Sequence, residues 1–229
     1  QTSNIYGKGI ADPLEGKQWE VGLKYQPTNT KMLFTAAAYD MKENNVLESD
    51  PDHANFYLEI GQVRARGVEL SANVNITQGL NLNANYTYMS IYNSHTTLTS
   101  TDINGKTVSL QGKSPTELPR NTFNLFVDYK FQKNTLNGIL DGLSLNAGMR
   151  YVGFSMGDQA NSFHVPAYTV FDGGMSYDFG KLSRRLKGLN VRASLVNGFN
   201  KQYVVECSSS TSCAWGQLRR VTGQIGYRW

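Results

Sequence analysis

Arg219 to Trp229 reads R-R-V-T-G-Q-I-G-Y-R-W. Val221, Ile225, Tyr227 and Trp229 share one parity, with Gly223 between them. Arg220, Thr222, Gln224 and Arg228 take the other. Successive side chains of a strand point to opposite faces. A strand that is apolar on one face, polar on the other and aromatic at its end has the pattern of a transmembrane β-barrel. The apolar parity is expected to meet lipid, and the polar parity a wet lumen.

Composition agrees. The chain has 229 residues, is 40% hydrophobic and contains 22 glycines but only 6 prolines. No run approaches the ~18 apolar residues that a spanning helix requires. Mean hydropathy of −0.41 excludes a helical membrane protein but not a barrel, whose lumen face is polar. Net charge is +4. Lys and Arg are scattered rather than gathered in a stripe, which argues against a nucleic-acid partner. Gln1-Thr2-Ser3-Asn4 has no charged or apolar leader segment. The expectation is that a leader was removed or that the chain begins inside a longer protein.

Outward from the closing segment, alternation repeats. Trp19, Val21, Leu23 and Tyr25 share a face, as do Val68, Leu70, Ala72, Val74 and Ile76 in a strand from about Tyr57 to Ile76. Leu80, Leu82, Ala84, Tyr86 and Tyr88 alternate with Asn81, Asn83, Asn85 and Thr87. Further strands are predicted over Asn121–Phe131, Leu143–Phe154, Ala167–Phe179 and Leu189–Asn197. Over Lys31–Met41, Leu33, Ala37, Tyr39 and Met41 are expected on one side. Polar loops are expected at Lys42 to Asn55 and at Asn93 to Leu118. The total is about nine strands and no convincing helix, an all-β antiparallel barrel wall. Single-chain bacterial barrels have even strand numbers, so nine are expected to form only part of one.

The residues then resemble a known family. Gly16-Lys17-Gln18-Trp19-Glu20-Val21-Gly22-Leu23-Lys24-Tyr25 is similar to a segment of TonB-dependent siderophore receptors. Ala38-Tyr39-Asp40, Asn45-Val46-Leu47, Asp50-Pro51 and Gly61-Gln62-Val63-Arg64-Ala65-Arg66-Gly67-Val68-Glu69-Leu70 continue the likeness in order. So do Leu118-Pro119-Arg120-Asn121, Gly148-Met149-Arg150-Tyr151-Val152-Gly153 and Asn197-Gly198-Phe199-Asn200-Lys201-Gln202-Tyr203-Val204. The stretch from Cys207 through Cys213, Trp215-Gly216 and Arg219 to Trp229 resembles the hydroxamate group, the ferrichrome and ferrioxamine receptors. Three details differ: Asn197-Gly198-Phe199-Asn200 stands for the usual N-L-F-D, Trp229 for the commoner Phe, and Ser208 for an aromatic. The resemblance implies a 22-stranded barrel with an N-terminal plug, of which residues 1–229 supply the C-terminal portion. The implied setting is the bacterial outer membrane with its lipopolysaccharide. A ferric siderophore is the implied cargo, and the TonB energy-coupling complex acts through the plug. Phage or bacteriocin are further implied partners. The alternatives are a cobalamin or sugar receptor of the same architecture, or a small standalone barrel.

Candidate site residues follow. Cys207 and Cys213, six apart in a polar loop, point to a local disulfide, with free thiols as the alternative. Tyr203 and Trp215 near the base of that loop offer flat apolar surface to a ferric siderophore; the competing role is an interface belt. Tyr227 and Trp229 are the expected assembly signal, Trp229 being a terminal aromatic by the resemblance. Glu20, Lys24, Glu69, Asp128, Lys130, Arg150, Asp172, Arg192, Arg220 and Arg228 are expected in the lumen, against a plug. Arg64 and Arg66 fall on the outward parity, above the bilayer near lipopolysaccharide phosphates or beyond a bulge that switches faces. His53, His95 and His164 form no ligand set, so no metal site or resident cofactor is expected. Asp52-His53 is the single acid–base pair suggestive of catalysis. With no G-x-S-x-G elbow beside it, an enzyme is not expected.

Overall fold

A computed structural model describes residues 4–50 and 53–229. Nine long strands form one antiparallel meander. They are β1 (Glu15–Tyr25), β2 (Met32–Ser49), β3 (Tyr57–Thr77), β4 (Leu80–His95), β5 (Asn121–Lys130), β6 (Leu143–Val152), β7 (Tyr168–Asp178), β8 (Leu189–Val196) and β9 (Arg220–Tyr227). Each pairs with its neighbours in the chain. Among the described residues, β1 pairs with β2 alone and β9 with β8 alone, so the sheet has two open edges.

The ladder fixes the tilt. From Tyr25, at the foot of β1, the register runs through Phe34 and Ala72 to Ala84, four residues above Leu80 at the foot of β4. From Leu80 it runs through Tyr129, Leu145, Met175 and Ala193 to Gly223, four residues above Tyr227 at the foot of β9. The feet thus shift by about one residue per strand. With ~3.3 Å along a strand and ~4.8 Å between strands, level feet give a tilt of about 35°, the value of a transmembrane barrel.

One parity is apolar from edge to edge. Val21, Leu23, Phe171, Met175, Val221, Ile225 and Tyr227 are all exposed, and Trp19 is 83% exposed. Polar neighbours meet across the other face: Thr35 Oγ1 with Ser71 Oγ (2.5 Å), Asn75 Nδ2 with Asn81 Oδ1 (2.6 Å), Ser194 Oγ with Thr222 Oγ1 (2.5 Å). All ten expected lumen charges fall on this parity or its continuation.

The ladder decides one face. Ala38 pairs with Val21 and Val68, and Ala37 pairs with Gly22 and Glu69. Phe34, Ala36 and Ala38 therefore look outward, while Leu33, Ala37, Tyr39 and Met41 look into the lumen. The stretch L-F-T-A-A-A-Y is apolar at both parities, so periodicity could not decide it. Register decides, because one residue of slip would reverse every side chain.

The expected loop Lys42 to Asn55 is also shorter than predicted: β2 continues to Ser49. Above a bilayer, both faces of a strand are wet and alternation disappears, but the backbone ladder persists. Likewise β4 runs to His95, within the loop expected from Asn93. The β7–β8 connection holds a four-residue helix, α1 (Phe179–Leu182), where no helix was expected. Asp178 caps it, its Oδ1 accepting from Gly180 N (3.0 Å).

Candidate functional site

Long connections gather at the end opposite the feet. Residues 96–120 carry a hairpin of Thr99–Thr101 with Thr107–Ser109. Residues 153–167 carry Ser155–Met156 with His164–Val165, and residues 197–219 carry Val204–Ser209 with Ser212–Trp215. The first two are joined. Asn161 Oδ1 accepts from Ser114 N and its Nδ2 donates to Ser114 O, both at 2.8 Å; Ser162 Oγ accepts from Ile103 N at 3.3 Å. The Arg120 guanidinium stands 5.8 Å from the centre of the Phe154 ring. Most buried positions lie here: Leu110, Ser155, Asp158, Ala160, Val165, Asn197 and Cys207; Val170 near the top of β7 and Ala65 in β3 are buried within the wall. The wall has lipid and lumen on its two faces, so the loops supply most of the packed core among the described residues.

Asn197 holds the third loop. Its side chain is 1% exposed. Nδ2 donates to Lys201 O (2.7 Å) and Gln217 O (3.0 Å), and Oδ1 accepts from Lys201 N (2.9 Å). Its backbone N–H donates to Asp172 Oδ1 (2.9 Å), and Asp172 also accepts from Arg150 Nε (2.8 Å). Asn197 sits at φ 48°, in the left-handed region where asparagine is unusually well tolerated. Nearby, Asn200 Oδ1 accepts from Arg219 N (2.9 Å). Two asparagines thus tie the two ends of the loop to each other, and the Asn197 backbone ties them to the wall at Asp172.

The disulfide Cys207–Cys213 is formed. It crosses the hairpin at directly paired positions. Tyr203 lies below it, and its carbonyl accepts from Gly216 N (2.8 Å). A Cβ at Gly216 would strike the Tyr203 ring, which explains glycine beside Trp215. The Tyr203 ring stands 4.2 Å from that of Tyr168. Tyr168 has the lumen parity of Val170 and Asp172, and both tyrosines lie within electrostatic reach of Arg150. Tyr203 therefore faces the inner side of the mouth rather than the belt. Trp215 is 73% exposed. Tyr168 and Asn197 were not singled out from sequence: Asn197-Gly198 signals a turn but not a buried hub, and nothing local marks Tyr168.

On the outer face, the ladder between β3 and its neighbours is unbroken from Val63 to Val74. No bulge switches Arg64 and Arg66. Both bind Asp40 of β2, Arg64 through Nε (2.9 Å) and Nη2 (2.5 Å) and Arg66 through Nε (3.0 Å). On the lumen face of the same strands the Tyr39 ring lies over Gly67, where a Cβ would stand 2.5 Å from its hydroxyl. The segments Ala38-Tyr39-Asp40 and Arg64-Ala65-Arg66-Gly67 thus meet on both faces of the wall, by ion pairs outside and ring packing inside.

At the outer tip, His53 stacks on Tyr6 (3.6 Å between centroids) and its Nδ1 lies 3.0 Å from Asp50 Oδ2. Asp52 lies outside the described residues, as does Pro51. Lys8 Nζ reaches Asp12 Oδ2 and Glu59 Oε2, each at 2.6 Å, and these carboxylates hold its pKa above the usual lysine value. Among the described residues, no group of three His, Cys, Asp or Glu stands close enough to hold a metal ion.

The comparisons with known proteins fit this geometry. The profile described as "TonB dependent receptor-like, beta-barrel" matches residues 2–197. The chain belongs to the TonB-dependent receptor β-barrel family. This receptor barrel is 36% identical over 231 residues to the ferrichrome outer membrane transporter/phage receptor of Escherichia coli K12, covering 100% of the chain and 28% of that protein. It is 32% identical to the ferrioxamine B receptor of Salmonella typhimurium SL1344, covering 95% of the chain and 29% of the relative. Among solved structures, the siderophore receptor PiuA of Acinetobacter baumannii superposes with a TM-score of 0.76 at 24% identity, covering 96% of this chain and 29% of that one. The receptor barrel therefore spans less than a third of the length of these relatives. Its lipid-facing band is the wall of an outer-membrane protein, and the relatives are receptors and transporters, not enzymes.

Proposed function

We propose that residues 1–229 form the C-terminal wall and part of the outer mouth of a TonB-coupled receptor for a ferric siderophore of hydroxamate type. The end-to-end likeness to ferrichrome and ferrioxamine receptors carries this reading. The open edges of β1 and β9 support a larger barrel, because lipid cannot satisfy an unpaired strand edge. On this reading further strands close the wall to 22, and a plug fills the lumen against Glu20, Lys24, Glu69 and the other inward charges. Cargo would settle against Tyr203 and Trp215 beneath the disulfide-braced hairpin. These aromatics give flat, rigid contact at low entropic cost, and Arg150 and Arg120 are the nearby cations. Ligand binding would change the plug, and TonB would pull it to open a path. The loop tips would also be the contact for phage or bacteriocin.

Growth tests the reading. Cells with this full-length receptor as their sole siderophore receptor should grow on ferric hydroxamates in a TonB-dependent manner. Growth on cobalamin or a sugar in its place would shift the assignment to another cargo.

Tyr227 and Trp229 lie at the foot of the outward face, Tyr227 63% exposed and Trp229 fully so. We assign them to the assembly signal. Trp229→Asp should lower the outer-membrane level of the full-length receptor severalfold, scored by heat-modifiable migration; an unchanged level would remove that role.

A further inference from the structure

The feet of the wall carry a feature that cargo uptake does not use. Between β5 and β6, residues 131–142 fold as a chain of turns with Leu136 (68%) and Ile139 (60%) exposed. Tyr177 Oη donates to Ile139 O. Tyr177 belongs to the lipid-facing parity of β7, so this bond holds the turn against the outer side of the wall. The next short connection, 179–188, packs onto it. Phe179 stacks obliquely on Tyr177 at 4.7 Å, and a Cβ at Gly142 would come within 3.0 Å of Lys181 Cβ.

That second connection reads F-G-K-L-S-R-R-L-K-G. It has four cations and no acid, with Leu182 and Leu186 exposed among them. None of Lys181, Arg184, Arg185 and Lys187 enters an ion pair among the described residues. Asp178 directly precedes this connection and is engaged as the cap of α1. Lys181 and Lys187 line a pocket at the lumen opening with Lys130, Arg192 and Arg228; Arg184 and Arg185 do not line it.

Short turns of an outer-membrane barrel lie at the periplasmic leaflet, which is the phospholipid side. Exposed leucines beside unpaired arginines, tied to the lipid-facing girdle, match an interfacial anchor: apolar groups enter the headgroup boundary and cations meet anionic headgroups. We propose that the two connections 131–142 and 179–188 form a binding site for anionic phospholipid of the periplasmic leaflet, with Arg184 and Arg185 as its headgroup contacts. This rests on the outer-membrane reading of the wall and is independent of the cargo.

The test uses the full-length receptor in dodecylmaltoside micelles, titrated with dioleoyl phosphatidylglycerol or dioleoyl phosphatidylcholine and read by native mass spectrometry. Phosphatidylglycerol should bind roughly tenfold more tightly, within what two cations near an anionic surface supply. The pair Arg184→Gln and Arg185→Gln should abolish that preference, and Arg64→Gln with Arg66→Gln at the opposite rim should retain it. If the first pair does not assemble, the wild-type preference in about 0.5 M salt decides, since screening must remove it. Equal binding of the two lipids, or a preference that survives the Arg184 and Arg185 changes or the salt, overturns the proposal. The latter result would place the anionic lipid elsewhere on the wall.

Discussion

Leu125→Arg will destabilise the assembled receptor by about 2–4 kcal/mol, the cost of a cation on the lipid face near the bilayer midplane, whereas Asn124→Arg will be tolerated. The two positions differ by one residue and by the whole width of the wall. Leu125 stands in the middle of β5, opposite Ala84 on one side and Met149 on the other. This row runs on to Phe171 and back to Phe34 and Tyr25, all apolar. Asn124 lies opposite Asn85 and Arg150, on the polar face. An arginine at 125 must snorkel past several apolar rows or draw water into the bilayer; at 124 it enters an already hydrated lumen. Urea-induced unfolding in lipid bilayers, followed by heat-modifiable migration, measures both variants. Equal effects would mean that the two faces have been assigned the wrong way round.

Asn197→Ala will release the disulfide loop without unfolding the barrel. Alanine removes three side-chain hydrogen bonds at a site that is 1% exposed. It leaves the Lys201 N–H and the Lys201 and Gln217 carbonyls without these partners, each costing about 1–3 kcal/mol if it stays buried. It also puts a residue with a Cβ but no compensating side-chain bond at φ 48°, for roughly a further 1 kcal/mol. The loop can recover part of this by opening to water, so the loss will appear locally. Amide exchange over residues 197–219 should accelerate by about a hundredfold, while β5 to β7 keep their protection. Asn197→Asp should behave similarly, because a carboxylate cannot donate to the two carbonyls. Unchanged exchange in the loop would show that Cys207–Cys213 alone orders it.

The wall was legible in the sequence because lipid and water impose opposite demands on alternate residues. The closing segment, with Val221, Ile225 and Tyr227 against Thr222 and Gln224, needs only that rule. Where the environment stops alternating, the rule fails. Leu33 to Tyr39 is apolar at nearly every position of both parities, and only the register gives Phe34, Ala36 and Ala38 to the outer face. Lys42 to Ser49 shows no alternation, Val46 and Leu47 standing side by side among polar residues, and reads as loop although its backbone keeps pairing through two register shifts. The mouth was less legible still. Cys207 with Cys213 was visible from local spacing. The Tyr203–Tyr168 stack joins residues 35 apart, and the Asn197 hub joins three separate segments. Such contacts follow from the third dimension and leave no local period. The ordered family motifs carried more than periodicity did: Asp40 with Arg64 and Arg66, and Tyr39 over Gly67, show why two distant motifs occur together.

The mouth and the wall meet in one claim, that this barrel surrounds a site for a ferric hydroxamate. Intrinsic tryptophan fluorescence of the purified full-length receptor tests it most directly, by titration with ferric hydroxamates, a ferric catecholate and cobalamin. Saturable quenching by a ferric hydroxamate with a Kd on the order of 1 μM or tighter, at least tenfold weaker in Trp215→Ala or Tyr203→Ala and absent with cobalamin, is the expected result. No saturable quenching by any ferric siderophore, with cobalamin bound instead, would contradict the account.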